Sequence, residues 1–157
     1  MTIHQQLTNN LTWVGVQDSQ LKVFDIIMET EYGTTYNAYL LKGLEKTALI
    51  ETVKIFEEFR KHIEAVLPIG QIDYLIVNHT EPDHAGSIAR LLEINPELTV
   101  VSSPAALQFL KEIVNQDFRS LIAKEGMTLD LGGKTLQFIM APNLHWPDTM
   151  YTLAQED

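Results

Sequence analysis

Two short apolar runs dominate the middle of the sequence, YLIV at Tyr74–Val77 and LTVV at residues 98–101. Each run is followed by a segment in which apolar residues recur at steps of three and four, first around residues 88–92 and then around residues 107–114. Strands that are apolar on both faces are typical of parallel sheets covered by helices. The sequence therefore predicts an α/β core in which strands and helices alternate.

The flanking parts of the chain predict further strands and one more helix. Phe56, Phe59 and Ile63 lie on one face of a predicted helix over residues 53–67, and Ser103 followed by Pro104 predicts the start of the helix after residue 101. The other predicted strands are residues 11–16, 21–28, 36–41, 47–50, 120–123, 127–131, 134–140 and 150–153.

Composition narrows the classes of partner. The chain has 157 residues, no Cys, and 21 acidic against 11 basic residues, which gives a net charge of −10. An acidic surface repels phosphate backbones and anionic lipid, so we expect neither nucleic acid nor a membrane as a partner. Without Cys the chain can form neither disulfides nor thiolate metal sites. No apolar run approaches the length of a membrane span, and the polar start favours a soluble, cytoplasmic protein.

The segment NHTEPDHAGS, residues 78–87, directly follows the apolar run YLIV. It contains four potential metal ligands, His79, Glu81, Asp83 and His84. In an extended loop, side chains two residues apart point the same way, so His79, Glu81 and Asp83 are predicted to converge, with His84 on the other side. The loop also leaves the carboxyl end of a predicted buried strand, where α/β proteins bind ligands.

A second strand exit carries another histidine, His145, in the segment APNLHWPD. Pro142 and Pro147 bracket it and reduce the entropy that is lost when the loop is fixed. The two remaining histidines, His4 and His62, are predicted to face solvent. Trp146 is equally compatible with packing over a site and with lining the core.

A simpler interpretation exists for each of these residues alone. A single histidine at a strand end is more often a hydrogen-bonded structural residue, and the acidic EPD segment suits a helix start, where Asp83 stabilises the helix dipole. The co-occurrence of the His-x-Glu-x-Asp-His pattern, the buried strand before it and the downstream His145 favours a metal site. Imidazole and carboxylate ligands without thiolate suit non-haem iron, manganese or zinc.

These motifs resemble those of a known family. The pattern His-x-His-x-Asp-His after a strand marks the metallo-β-lactamase fold, and here Glu81 replaces the second histidine. Together with GTTYNAYLLKG, TLDLGGKTLQFI and APNLHWPDTMYT, this replacement closely resembles the flavodiiron proteins over nearly the whole chain. The resemblance implies a metallo-β-lactamase-like αββα sandwich of the α/β (α+β) class. It implies that residues 1–157 form roughly the amino-terminal half of that domain, without the family's flavodoxin-like domain.

The resemblance also implies a set of ligands and an activity. In the family pattern, His79, Glu81 and His145 bind one iron, and Asp83 and His84 bind the other. The pattern places a bridging Asp and a further His beyond these motifs, and neither occurs in this sequence, so we expect an incomplete diiron site. The family reduces O2 to water or NO to nitrous oxide with electrons from FMN. The implied partners are the gas, an electron-donor protein or flavin domain, and further copies of the chain in a homo-oligomer.

Two other functions remain open at this point. One is a zinc-dependent hydrolase of the wider metallo-β-lactamase superfamily, in which zinc-bound hydroxide is the nucleophile. Glu81 argues against it, because a carboxylate in place of imidazole favours iron. The other is a non-catalytic fragment that acts by oligomerisation or by binding a partner, since a partial sheet exposes an edge and an apolar face.

Overall fold

The structure is a computed structural model, and it describes residues 4–24 and 26–155. The strands are β1 (Gln5–Gln6), β2 (Leu11–Trp13), β3 (Val16–Asp18), β4 (Val23–Phe24), β5 (Met28–Glu29), β6 (Thr34–Tyr36), β7 (Tyr39–Lys42), β8 (Thr47–Ile50), β9 (Tyr74–Val77), β10 (Thr99–Ser102), β11 (Arg119–Ile122), β12 (Thr128–Asp130), β13 (Thr135–Met140) and β14 (Met150–Gln155). The helices are α1 (Phe56–Glu64), α2 (Pro82–Ala85), α3 (Ile88–Ile94) and α4 (Pro104–Val114), with a 3-10 turn at Ile69–Gln71. Among the described residues, none of the helices has both the length and the apolar character needed to cross a membrane.

The largest sheet has seven strands in the order β1-β2-β7-β8-β9-β10-β11. The four strands from β8 to β11 are parallel to one another, whereas β1, β2 and β7 pair antiparallel with their neighbours. Because parallel strands end at the same edge of a sheet, the loops after β8, β9 and β10 lie side by side. This arrangement positions the candidate site.

The central strands of the large sheet, β9 and β10, are buried on both faces, as the apolar runs predict. Leu75 and Val77 of β9 face a core that includes residues from all four helices, whereas Ile76 faces a second core. The second core also contains Leu136 and Phe138 of β13. The large sheet thus separates a helical layer from a smaller sheet, and the described residues form an α-β-β stack that matches part of the predicted αββα sandwich.

The smaller sheet has three antiparallel strands in the order β12-β13-β14. It is attached to the large sheet near Gly43, in the turn between β7 and β8. There the N–H groups of Glu45 and Lys46 donate to the carbonyl oxygen of Leu131, at 3.1 and 3.0 Å. A Cβ atom on Gly43 would lie 1.9 Å from the same oxygen, so only glycine allows this approach.

The structure corrects several predicted boundaries. The single strand predicted over residues 21–28 is instead the two short strands of a hairpin, β4 and β5, with Ile26 in the left-handed region at φ 68°. Asp25, inside that range, lies outside the described residues. The helix predicted over residues 53–67 is shorter in the structure, where it begins at Phe56 and ends at Glu64. It cannot continue to Leu67, because a residue that precedes a proline disfavours the helical conformation. The β-branched and aromatic composition predicted extended structure correctly but not the turns within it.

Candidate metal centre

The site lies at the shared edge of the parallel strands. β9 ends at Val77, and the next four residues run as a loop until helix α2 begins at Pro82. Proline suits the first helical position, because its fixed φ angle fits a helix and its missing N–H would have no helical partner. The apolar strand and the proline together fix where the intervening His79 and Glu81 emerge.

Three predicted residues converge here, His79, Glu81 and His145. The Nε2 atom of His79 lies 3.2 Å from Oε2 of Glu81, and Nε2 of His145 lies 3.3 Å from the same oxygen. One potential ligand atom from each of the three residues lies within 4.8 Å of the other two. His145 reaches the cluster from the loop between β13 and β14, so the cluster draws on both sheets.

Asp83 and His84 lie beside this cluster but outside the three-residue group. Helix α2 begins at Pro82 and interrupts the alternation of an extended loop, so Asp83 does not join the group formed by His79, Glu81 and His145. The ring of His84 is nonetheless only 5.4 Å from that of His79, and its Nε2 lies 3.6 Å from Oδ2 of Asp83. The five predicted residues therefore lie close together in two groups: His79, Glu81 and His145 form one, and Asp83 and His84 form the other.

The charge around His84 favours cations. Its Nδ1 lies 2.8 Å from Oε2 of Glu51. Burial of the imidazole opposes protonation, but the hydrogen bond and charge of Glu51 and the charges of Asp83 and Glu81 outweigh it and raise the pKa of His84. The carboxylates of Glu51, Asp83 and Glu81 thus create a negative potential around the imidazole of His84.

The donor set fits a metal ion. Oδ1 of Asp83 is buried and has no hydrogen-bond partner among residues 4–24 and 26–155, an unusual state for a carboxylate oxygen. If His79 carries its proton on Nδ1, its Nε2 and the nearby Oε2 of Glu81 are both acceptors. Two acceptors at 3.2 Å repel each other unless a cation lies between them. Imidazole and carboxylate groups are ligands that iron, manganese and zinc accept.

Sequence reasoning missed two buried acids at this edge. Glu51 follows β8 directly, has φ 66°, and accepts the N–H of Asn78 at 2.6 Å as well as binding His84. Asp148, in the His145 loop, accepts the N–H of Thr80 at 2.8 Å. The available signal was positional, since Glu51 is an acidic residue at the end of a strand that runs parallel to β9.

The other histidines and the neighbouring tryptophan are also placed. His62 does not face solvent as predicted: it is 5% exposed, and its Nδ1 lies 2.6 Å from the carbonyl oxygen of Gly15. His4 is half-buried rather than fully exposed. Trp146 packs edge-on to His79, with ring centroids 5.0 Å apart, so it lies against the site rather than in the core. Amphipathic helix α1 carries His62 on its inner face, which the charged neighbours in sequence obscured.

A cavity of 180 Å³ reaches the site from the side of the β4–β5 hairpin. Glu81 and Asp83 are among the residues that line it. Leu21, Val23 and Phe24 form an apolar part of its lining, beside Lys54 and Pro82. The site is therefore accessible to small molecules beside an apolar surface.

Comparison with known proteins places this fold in a family. The sequence model of the ODP family beta lactamase matches residues 34–156. The chain is 49% identical over 156 residues to the flavo-diiron protein FprA2 of Clostridium acetobutylicum, covering 97% of this chain and 39% of the relative. It is 53% identical over 132 residues to the putative diflavin flavoprotein A 2 of Synechocystis, covering 82% of this chain and 23% of the relative.

Solved structures agree with these relatives. The flavodiiron protein from Giardia intestinalis superimposes with a TM-score of 0.90 at 32% identity, covering 96% of this chain and 37% of that one. The rubredoxin oxygen:oxidoreductase from Desulfovibrio gigas gives a TM-score of 0.90 at 34% identity, over 96% of this chain and 38% of that one. The chain thus spans well under half the length of these relatives, within their lactamase-like domain. It belongs to the flavodiiron protein family and carries part of the metallo-β-lactamase-like domain of that family.

Proposed function

We propose that this chain contributes part of a non-haem diiron centre that reduces O2 to water, NO to nitrous oxide, or both. The convergence of His79, Glu81 and His145 on one point is the observation that carries this proposal. In the proposed centre these three residues bind one iron, and Asp83 and His84 bind the second. The membership in the flavodiiron family supports the assignment of iron.

Each group of residues has a distinct task in this proposal. Iron, when bound, supplies electrons to the gas. Glu81 contributes a hard anionic oxygen, which favours iron over zinc at a position where wider metallo-β-lactamase relatives have imidazole. The apolar wall of Leu21, Val23 and Phe24 lines a route that suits a small uncharged gas. Trp146, packed edge-on to His79, covers part of the site and limits the access of water.

In this proposal, a separate electron donor supplies the electrons that reduce the gas. The cofactor that delivers them in the family is FMN, and we propose an electron-donor protein or a flavin domain as the partner. The name of the Desulfovibrio gigas relative, a rubredoxin oxygen:oxidoreductase, agrees with a donor protein of that kind.

We also propose that the chain works as a homo-oligomer in the cytoplasm. The outer face of the small sheet supports this, because Ile139, Tyr151 and Leu153 are each at least 40% exposed. β14 is an edge strand among the described residues, and exposed edges and apolar faces favour association. Light scattering that gives the mass of a monomer at high concentration would contradict this part of the proposal.

The experiment that tests the proposed function is metal analysis of anaerobically purified protein by mass spectrometry. We expect iron in the wild type and its loss in Glu81→Ala. Glu112→Ala is the matched control, since Glu112 lies on the exposed face of α4 and outside the cluster. Two irons per chain would indicate a complete pair, and one iron a half-site. A wild type without iron, or a Glu81→Ala variant that retains it, would overturn the proposal.

The zinc hydrolase alternative is tested with the same preparations. After loading with Fe²⁺ and a chemical reductant, we expect consumption of O2 or NO. After loading with Zn²⁺, we expect no hydrolysis of ester or lactam substrates. Hydrolysis with zinc and no gas consumption with iron would favour the hydrolase.

A further inference from the structure

Asp148 is the most deeply buried acid near the proposed centre. Its side chain is 0% exposed, and its two oxygens contact His79 and Thr80. Oδ1 and Oδ2 lie 3.1 and 3.3 Å from Nδ1 of His79. Oδ2 also accepts the N–H and the hydroxyl of Thr80, at 2.8 and 2.7 Å. No Lys or Arg is paired with Asp148 among the described residues. A carboxylate that is buried without a permanent cation needs strong donors, and His79 is one of them.

These contacts select one form of His79. A buried carboxylate oxygen accepts hydrogen bonds, so the imidazole must present its Nδ1 as N–H toward Asp148. The opposite tautomer would place a nitrogen lone pair against a buried carboxylate oxygen, and Oδ1 of Asp148 would lose its donor. With the proton on Nδ1, the lone pair of Nε2 points at the space shared with Glu81 and His145.

The geometry points to Asp148 as a positioning residue, which holds His79 as the Nδ1–H tautomer with Nε2 free to bind the metal. Carboxylates in this role orient a ligating imidazole and raise its basicity. This inference rests on the proposed metal centre and deepens it, because it assigns a task to a residue outside the proposed ligand set.

The location of Asp148 gives its role a wider effect. It lies in the β13–β14 loop, three residues after His145. The hydroxyl of Ser103, at the start of α4, donates to the backbone carbonyl of Asp148 at 2.7 Å and fixes this part of the loop. One loop thus supplies a proposed ligand and, three residues later, the carboxylate that orients a second ligand on a different sheet.

A purely structural role for Asp148 makes a different prediction. If Asp148 served only to hold the backbone and hydroxyl of Thr80, the tautomer of His79 would not depend on it. Thr80→Val separates the two roles, because it removes the hydroxyl bond to Asp148 and leaves the carboxylate facing His79. Thr149→Val is a second control, since the hydroxyl of Thr149 bonds only to the carbonyl of Trp146 in the structure, at 3.0 Å.

The first experiment reads the tautomer directly by long-range ¹H–¹⁵N NMR of protein labelled with ¹⁵N-histidine. In the wild type, both without metal and with Zn²⁺, we expect the proton of His79 on Nδ1. In Asp148→Asn we expect loss of this single form, because the amide must turn a donor toward either His79 or Thr80. A wild-type proton on Nε2, or an unchanged tautomer in Asp148→Asn, would overturn the inference. The wild-type spectrum alone decides it if the variant does not fold.

The second experiment measures the dissociation constant for Zn²⁺ by competition with a coloured chelator. We expect Asp148→Asn to weaken binding by about tenfold to a hundredfold, the usual effect of removing such a partner. Thr80→Val and Thr149→Val should bind within about twofold of the wild type, well below that range. Equal weakening in Thr80→Val and Asp148→Asn would show a structural role and overturn the inference. A wild type that binds no Zn²⁺ and no iron would instead contradict the proposed function, while the metal-free tautomer would still test Asp148.

Discussion

The carboxylate of Glu51 joins two neighbouring loops through two contacts: Oε2 lies 2.8 Å from Nδ1 of His84, and Oε1 accepts the N–H of Asn78 at 2.6 Å. Glu51 is 8% exposed and adopts φ 66°, a left-handed conformation that side-chain-bearing residues rarely take. These contacts stabilise the ligand loop in the absence of metal.

We therefore expect Glu51→Gln to destabilise the metal-free protein. A glutamine offers one acceptor oxygen for two donors, so one partly buried donor loses its partner, at a cost of about 1 kcal/mol, the lower end of the penalty for a buried donor. Urea denaturation of the metal-free protein measures this change in the free energy of unfolding. Glu112→Gln, on the exposed face of α4, should leave it nearly unchanged. Equal stability of the two variants would show that Glu51 does not support the loop.

The raised pKa of His84 predicts a dependence of stability on pH. Its value in the folded chain lies above the ordinary value of about 6.5 expected in the unfolded chain. Protonated His84 therefore stabilises the metal-free fold fully below that ordinary value, and the contribution is lost as pH rises through the folded value. Glu51, Asp83 and Glu81 are the acids that produce the effect.

The measurement is the difference in Tm between the metal-free wild type and His84→Gln across that pH range. We expect the wild type to be more stable than the variant at the acidic end, and the difference to shrink as pH rises. A constant difference would indicate that the proton on His84 makes no contribution to folding.

The two histidines that contact Glu81 should respond differently to removal. His145 is exposed in a loop, whereas His79 is 6% exposed and packs against Trp146. We expect His145→Ala to weaken metal binding with little change in Tm of the metal-free chain. His79→Ala should weaken binding and also lower Tm, because it leaves the buried Asp148 without its imidazole partner. Calorimetry on metal-free protein and a Zn²⁺ titration separate the two effects, and equal losses of Tm would contradict the assignment.

Gly43 provides a test of how the two sheets are attached. Its Cβ position lies 1.9 Å from a backbone oxygen of Leu131, so Gly43→Ala forces the strands apart. We expect a loss of about 3 kcal/mol in the free energy of unfolding, at the upper end of the usual cost of overpacking. Gly70→Ala is the matched control, since nothing lies within 4 Å of its Cβ position. The free energy of unfolding of both variants is measured by urea denaturation. Equal values for Gly43→Ala and Gly70→Ala would contradict the close approach of Gly43 to Leu131.

The sequence predicted the main strands and helices because their signals are local. The run YLIV is apolar at every position, and β9 is indeed buried on both faces. The Ser103–Pro104 pair predicted the start of α4, and the hydroxyl of Ser103 does accept the N–H of Ala106. The two-residue strands β4 and β5 escaped prediction, because β-branched and aromatic residues are frequent throughout residues 21–28 and hide the turn between them.

The candidate site was predictable only in part, for a related reason. His79, Glu81 and His145 stood out because potential ligands co-occur in one short motif after a buried strand and a histidine follows a later strand, and the structure brings them together. Glu51 and Asp148 did not stand out, since acidic residues are common and only the three-dimensional pairing with His84 and His79 reveals them. The start of helix α2 at Pro82, inside the motif, was also not predicted, and it changes the direction of the chain before Asp83.

Because the candidate site lies between two sheets, a bound metal ion would link the two layers. The sheets already meet at one end through Gly43 and Leu131, and at the other through the N–H of Met150, which donates to the carbonyl of Asn78. An ion held by His79 and His145 would add a bond across the second junction. Any ligand that binds only the folded state raises the free energy of unfolding. With metal bound, the two sheets would therefore unfold as one cooperative unit. The amide protons of the β13–β14 hairpin would then exchange with solvent only when the two layers separate together.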